Sequence, residues 1–167
     1  FGNYRCGATL ISDAAVLTAA SCVDPILRDN IGISEVFLGG QDREVPVQRR
    51  PVTAVYPLES YTGDPREGND IAIVRFSGGT CMKPIPFLGG IPFPGETYLI
   101  LGYGQTGPFE PLAGGLLGGN QTNFEIAECN ADGVDPPLDE GRICTQAPDC
   151  NCPSICSGDE EIGRAHV

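Results

Sequence analysis

The sequence predicts an all-β fold, a sandwich or barrel of short strands stabilised by disulfides. The chain contains 23 glycines and 15 prolines without a periodic repeat, a composition typical of many turns rather than long helices. Apolar, β-branched segments recur at short spacing and end in turn residues, whereas no helical period extends over a dozen residues. Eight cysteines form an even, high count for 167 residues, which favours disulfides and an oxidising compartment.

The predicted strands follow one another with turn residues between them. Ser12-Asp13 ends the first strand, and Gly39-Gly40 ends the third, because these residue types accept the backbone angles of tight turns. The segment at residues 107–119 is rich in glycine and proline and has no period, so it predicts a long surface loop or a connection between lobes. The predicted strands are residues 8–11, 15–18, 36–38, 52–56, 71–76 and 98–101.

Charge and cysteine content limit the function classes. Ten Lys and Arg against 22 Asp and Glu give a net charge of −12, which excludes nucleic acid as a favoured partner because phosphate binding needs clustered cations. No apolar run approaches the about 18 residues that span a bilayer, so we expect no membrane insertion. Asn120-Gln121-Thr122 is an N-glycosylation triplet in a Gly-rich stretch, which predicts an exposed loop and, with the cysteines, a secreted, extracellular glycoprotein.

Five sequence blocks carry a family resemblance. Residues 6–11, Cys-Gly-Ala-Thr-Leu-Ile, are followed at residues 16–22 by Val-Leu-Thr-Ala-Ala-Ser-Cys, and residues 69–74 read Asn-Asp-Ile-Ala-Ile-Val. Residues 101–106 read Leu-Gly-Tyr-Gly-Gln-Thr, and Ile143-Cys144 precedes Cys-Ser-Gly-Asp at residues 156–159. In this order, the blocks resemble those of trypsin-like (chymotrypsin-fold) serine proteases over nearly the whole chain.

The resemblance implies an architecture and two disulfides. It implies one domain over residues 1–167, with a first antiparallel β-barrel at about 1–90 and an incomplete second barrel with a Cys-rich end at about 91–167. Both ends are expected to lie inside the family's domain, so the chain is either a piece of a longer polypeptide or has a truncated second barrel. The implied disulfides are Cys6–Cys22 and Cys129–Cys144; Cys81, Cys150, Cys152 and Cys156 keep three possible pairings.

Peptide hydrolysis in this family needs a serine nucleophile, a histidine base and an aspartate that orients the histidine. By resemblance, Asp70 matches the aspartate, but Ser21 stands at the histidine position and Glu160 at the serine position. A seryl hydroxyl is not a general base near neutral pH, and a carboxylate repels the oxyanion that forms during acyl transfer. Gly158 is the oxyanion-equivalent position, and Ser154 is the pocket-equivalent position. The sequence therefore predicts an inactive homologue.

Three other groups of residues suggest alternative chemistries. His166, the single histidine, is interpreted as an ordinary strand or tail residue rather than a relocated base. The acidic residues 159–161 are adjacent and normally point apart, so a solvated loop or a weak cation site is favoured over a catalytic carboxylate pair. Cys150, Cys152 and Cys156 have spacings that suit zinc, but an oxidising context favours disulfides. We expect no metal and no cofactor.

The leading hypothesis is a non-catalytic, secreted protein-binding or structural module that is part of a larger extracellular protein or assembly. Its partners would be other extracellular proteins or other segments of a larger chain. One alternative is an active serine-type endopeptidase with a non-standard site. The others are a secreted inhibitor or regulatory protein, and a component of the extracellular matrix or of a surface filament.

Overall fold

A computed structural model of the chain describes residues 6–24, 32–42, 44–87, 90, 92–104, 113–131 and 143–146. Within these ranges, eight strands form two antiparallel sheets of five and three strands, and the helices are short. The elements are β1 (Thr9–Ser12), β2 (Ala15–Thr18), α1 (Ala20–Val23), β3 (Glu35–Leu38), β4 (Gln48–Pro57), a 3-10 turn (Pro65–Glu67), β5 (Ala72–Phe76), β6 (Thr97–Gly102), β7 (Leu117–Phe124), α2 (Ile126–Ala131) and β8 (Cys144–Gln146). The fold is all-β, as the sequence predicts.

The five-stranded sheet has the order β1-β2-β5-β4-β3, with β5 at its centre. Ala72, Val74 and Phe76 of β5 are buried, whereas Ile73 and Arg75 between them are exposed. This alternation is expected for a strand with one face in the core, because successive side chains point to opposite faces. Val16, Leu38 and the helix α1 contribute further buried side chains to the same core.

Strand β4 is twice as long as the predicted strand at residues 52–56. Its first half pairs with β3, where Pro51 lies opposite Glu35, and its second half pairs with β5, where Val55 lies opposite Val74. A register shift between Val52 and Ala54 accompanies the change of partner. Local sequence alone does not reveal such a strand, because each half is stabilised by a different distant segment.

The three-stranded sheet, with the order β6-β7-β8, corrects the loop predicted at residues 107–119. Residues 117–119 lie in β7, and Asn120 is exposed on this strand rather than in a loop. The glycines weaken the β signal in the sequence, and Gly118 leaves space that two leucine side chains approach. A Cβ on Gly118 would lie 2.8 Å from Cδ2 of Leu101 and 3.4 Å from Cδ1 of Leu99, both in β6.

Two backbone carbonyls in the segment after β3 accept hydrogen bonds from the segments that follow β6 and precede β7. The Tyr103 hydroxyl donates to the Gly40 carbonyl at 2.8 Å, and the Leu116 amide donates to the Gln41 carbonyl at 2.6 Å. Gly40 has a φ of +102°, and a Cβ there would lie 2.8 Å from the Val45 carbonyl oxygen. Only glycine accepts both constraints without strain.

Two disulfides occur among the residues that the structure describes. Cys6 pairs with Cys22 and Cys129 with Cys144, at Cα–Cα distances of 6.0 and 6.4 Å, which are the pairings that the resemblance implies. Among the described cysteines, Cys81 is exposed and free. Residues 150, 152 and 156 lie outside the described ranges. Within the described ranges, no helix combines the length and the apolar character that crossing a membrane requires.

We predict that the Tyr103 contact weakens at alkaline pH. Burial, and secondarily the nearby Asp42 carboxylate, raise the pKa of Tyr103 above its ordinary value of 10.0. A pKa that is higher in the folded state than in the unfolded state gives stability that is complete below the unfolded pKa and is lost as the pH rises through the folded pKa. The measurement is denaturant unfolding at pH 8 and pH 11, with the free thiol of Cys81 alkylated to prevent disulfide exchange. The decrease in the free energy of unfolding between the two pH values should be smaller in Tyr103→Phe than in the wild type.

The matched control is Tyr56→Phe, because Tyr56 is exposed. This variant should keep the wild-type loss of stability between the two pH values. An equal loss in the wild type and in Tyr103→Phe would contradict the prediction.

Candidate functional site

The pairing of β2 with β5 creates the candidate site. These strands are antiparallel neighbours, and Thr18 at the end of β2 lies opposite Ala72 at the beginning of β5. The chain that leaves β2 and the chain that enters β5 therefore meet at one edge of the sheet. Ser21 lies three residues after Thr18, and Asp70 lies two residues before Ala72.

Ser21 makes two hydrogen bonds to the Asp70 carboxylate. Its backbone N–H donates to Oδ1 at 2.7 Å, and its hydroxyl donates to Oδ2 at 2.8 Å. Both residues are 8% exposed. Because the carboxylate is buried, water cannot readily replace a donor that is removed. Loss of one of these hydrogen bonds should therefore lower the stability of the fold.

Local structure holds Ser21 in place from both sides. It belongs to the short helix α1, where Ala20 is fully buried and the Asp24 amide donates to the Ala20 carbonyl at 2.9 Å. The next residue, Cys22, is covalently linked to Cys6. The Thr18 hydroxyl donates to the Gly7 carbonyl at 2.8 Å, which attaches the same N-terminal segment to the end of β2.

Asp70 is oriented by the turn before β5. Asn69 has a φ of +56°, the one positive φ among the described non-glycine residues, and asparagine accepts this left-handed conformation more readily than most residues. The Ile71 amide donates to the Asn69 carbonyl at 2.8 Å, and the Leu58 amide donates to the Ile71 carbonyl at 2.9 Å. The turn thus directs the carboxylate toward α1.

The Ser21–Asp70 arrangement is chemically different from an imidazole–carboxylate pair. Imidazole titrates near neutral pH and has two nitrogens, so it binds a carboxylate through one and exchanges a proton through the other. The Ser21 hydroxyl has one hydrogen, and the Asp70 carboxylate accepts it. The pair therefore stabilises α1 against β5 but does not provide a base of the imidazole type.

The structure brings together two of the predicted site residues, Ser21 and Asp70. Glu160, Gly158 and Ser154 lie outside the described residues, as do His166 and the acidic residues 159–161. In the part of the chain that is described, no cluster of three or more His, Cys, Asp or Glu side chains is suitable for holding a metal ion.

The direct hydrogen bond between Ser21 and Asp70 is not predicted by the sequence. The two positions match the family's blocks separately, and neither block indicates a contact with the other. The feature of the sequence that could have indicated this bond is the serine itself. Its side chain is short enough for the hydroxyl and the backbone N–H to reach the two oxygens of one carboxylate.

Comparisons with known proteins bear on this site and fold. A family model described as Trypsin matches residues 1–160. Fibrinolytic enzyme isozyme C of Lumbricus rubellus is 29% identical over 94% of this chain and 68% of its own length. Snake venom serine protease KN13 of Trimeresurus stejnegeri is 28% identical over 94% of this chain and 65% of its own length.

Among solved structures, the chain is similar to neuropsin, a serine protease expressed in the limbic system of mouse brain. The TM-score is 0.73 at 24% identity, and the alignment covers 86% of this chain and 65% of neuropsin. This likeness shows a common fold. The chain spans about two thirds of the length of each of these three proteins.

We predict that Ser21→Ala lowers the free energy of unfolding by about 2 kcal/mol, because Oδ2 of the buried Asp70 loses its hydroxyl donor. Denaturant titration with the disulfides intact measures the loss. The control Ser34→Ala removes the hydroxyl of an exposed serine and should change stability by less than about 0.5 kcal/mol. Equal stabilities of the two variants would show that the Ser21–Asp70 bond does not form in solution.

Proposed function

The chain belongs to the trypsin family and has its all-β, chymotrypsin-like fold, and we propose that it is a non-catalytic member of that family. In this proposal, it acts outside the cell as a protein-binding or structural module. Its partners are other extracellular proteins or other segments of a larger protein or assembly.

The Ser21–Asp70 contact is the observation that carries the proposal. By family resemblance, Ser21 stands where a protease places its histidine, and Asp70 matches the aspartate that would orient that histidine. Asp70 instead accepts two hydrogen bonds from Ser21, at 2.7 and 2.8 Å. The carboxylate thus has a structural role that does not require an imidazole.

Glu160 gives independent support from the sequence. It follows Gly158-Asp159, where the family's pattern has the nucleophilic serine, and it is the last residue of the family match. A carboxylate there would place negative charge where acyl transfer also develops an oxyanion. In a serine protease, loss of the serine or the histidine alone costs about a millionfold in kcat, and the two losses overlap rather than add. Replacement of both positions therefore supports loss of proteolysis.

Secretion is supported by features of different kinds. Two disulfides occur among the described residues, and such bonds persist in oxidising compartments. Asn120, the asparagine of the N-glycosylation triplet, is exposed. One relative is a snake venom protease, which is an extracellular protein. The net charge of −12 favours protein partners over nucleic acid.

The relatives favour the competing function. They are named as an enzyme and as proteases, so an active endopeptidase with a non-standard site is the alternative to be tested. A secreted inhibitor or regulatory protein would be a particular form of the non-catalytic proposal. It would be distinguished by inhibition or activation of an added protease.

The test uses the full secreted chain and a serine-directed fluorophosphonate probe, followed by a peptide-ester hydrolysis assay with active trypsin as the positive control. We expect no stoichiometric labelling. We also expect a hydrolysis rate equal to that of the variants Ser21→Ala and Asp70→Asn. Stoichiometric labelling of any serine, or hydrolysis that is lost when Ser21, Asp70 or Glu160 is substituted, would overturn the proposal.

A further inference from the structure

We infer that Asn120 carries an N-linked oligosaccharide whose first sugars cover an apolar surface formed by Leu99 and Leu101. The inference rests on the secretion proposed above and is independent of whether the chain is catalytic. Asn120-Gln121-Thr122 is the only Asn-x-Ser/Thr triplet in the 167 residues. Its position in the sheet determines what an attached sugar would contact.

The strand β7 presents Asn120 outward. Asn120 is exposed, whereas Gln121 and Asn123 are 3% and 5% exposed. The Asn123 side chain donates to the Pro92 carbonyl at 3.2 Å, which shows that the opposite face of β7 is occupied by protein. Asn120 therefore has room for a bulky substituent that the buried positions lack.

Residues directly opposite one another in an antiparallel pair share a face, with Cβ atoms about 5 Å apart. Asn120 lies opposite Leu99, and Gly118 lies opposite Leu101. Thr122 lies opposite Thr97, and their hydroxyl oxygens are 3.3 Å apart. Along this face, the Thr97–Thr122 pair is followed by Leu99 opposite Asn120 and then by Leu101 opposite Gly118.

Leu99 and Leu101 form an exposed apolar surface beside Asn120. Their exposures are 63% and 45%, and both side chains approach the space over Gly118, which has no side chain of its own. They belong to β6, an edge of the described three-stranded sheet. An exposed apolar surface tends to associate with other chains unless something covers it. A sugar on Asn120 would lie directly across from Leu99.

The modification uses the chemistry of the secretory compartment. The side-chain amide nitrogen of Asn120 attacks the anomeric carbon of an oligosaccharide linked to a polyprenyl diphosphate. A C–N bond forms, the C–O bond to the diphosphate breaks, and the amide proton passes to a base of the transferase. The polyprenyl diphosphate leaves, and no oxidant or reductant is needed.

Attachment is tested on the full chain secreted from a host that N-glycosylates. Treatment with peptide-N-glycosidase in ¹⁸O-water should convert the modified asparagine to ¹⁸O-labelled aspartate, which peptide mass spectrometry detects at position 120. Thr122→Ser should retain the glycan, and Thr122→Val should lose it. A secreted wild-type chain with an unmodified Asn120 would overturn the inference and leave the proposed lack of catalysis unaffected.

Coverage of the leucines is tested by removing the glycan from the folded protein. We expect fluorescence of the dye ANS and light scattering to rise after removal. The rise should be absent in the variant Leu99→Thr/Leu101→Thr, which keeps Asn120 and its glycan. An unchanged signal in the wild type, or an equal rise in the leucine variant, would show that the sugars do not cover this surface.

Discussion

The pairing of β2 with β5 is the constraint on which the candidate site depends. It sets Thr18 opposite Ala72, so that two segments 49 residues apart in the chain meet as Ser21 and Asp70. The buried face of β5 anchors this arrangement in the core, because Ala72, Val74 and Phe76 are 1–3% exposed. Displacement of either strand by one residue would turn the core side chains to the opposite face.

The same strand pairing fixes the position of the Asp70 carboxylate. The strands, the Cys6–Cys22 disulfide and the turn at Asn69 position the Asp70 carboxylate with hydrogen bonds that do not involve an imidazole. Ser21 supplies the carboxylate with two donors, its backbone N–H and its hydroxyl. The buried Asp70 carboxylate is therefore hydrogen-bonded without an imidazole.

The second sheet shows how glycine obscures a strand in the sequence. Gly118 and Gly119 weaken the local β signal, yet β7 makes the longest pairing of that sheet, from Leu117 opposite Gly102 to Thr122 opposite Thr97. The missing side chain at Gly118 makes room for Leu99 and Leu101. The surface that results is apolar on β6 and polar at Asn120 of β7. This combination is the basis for the proposal that a sugar on Asn120 covers the two leucines.

The sequence by itself determined the all-β class, the positions of most strands in the first sheet and the identity of the residues at the candidate site. These properties follow from residue type, period and motif order, which are local. Only the tertiary structure decided that the Ser21 amide and hydroxyl bind both oxygens of Asp70, that β4 serves two partners, and that Asn120 lies on a strand opposite Leu99. These contacts join segments that are distant in the chain, and their geometry depends on strand register and core packing, which no local window of sequence contains.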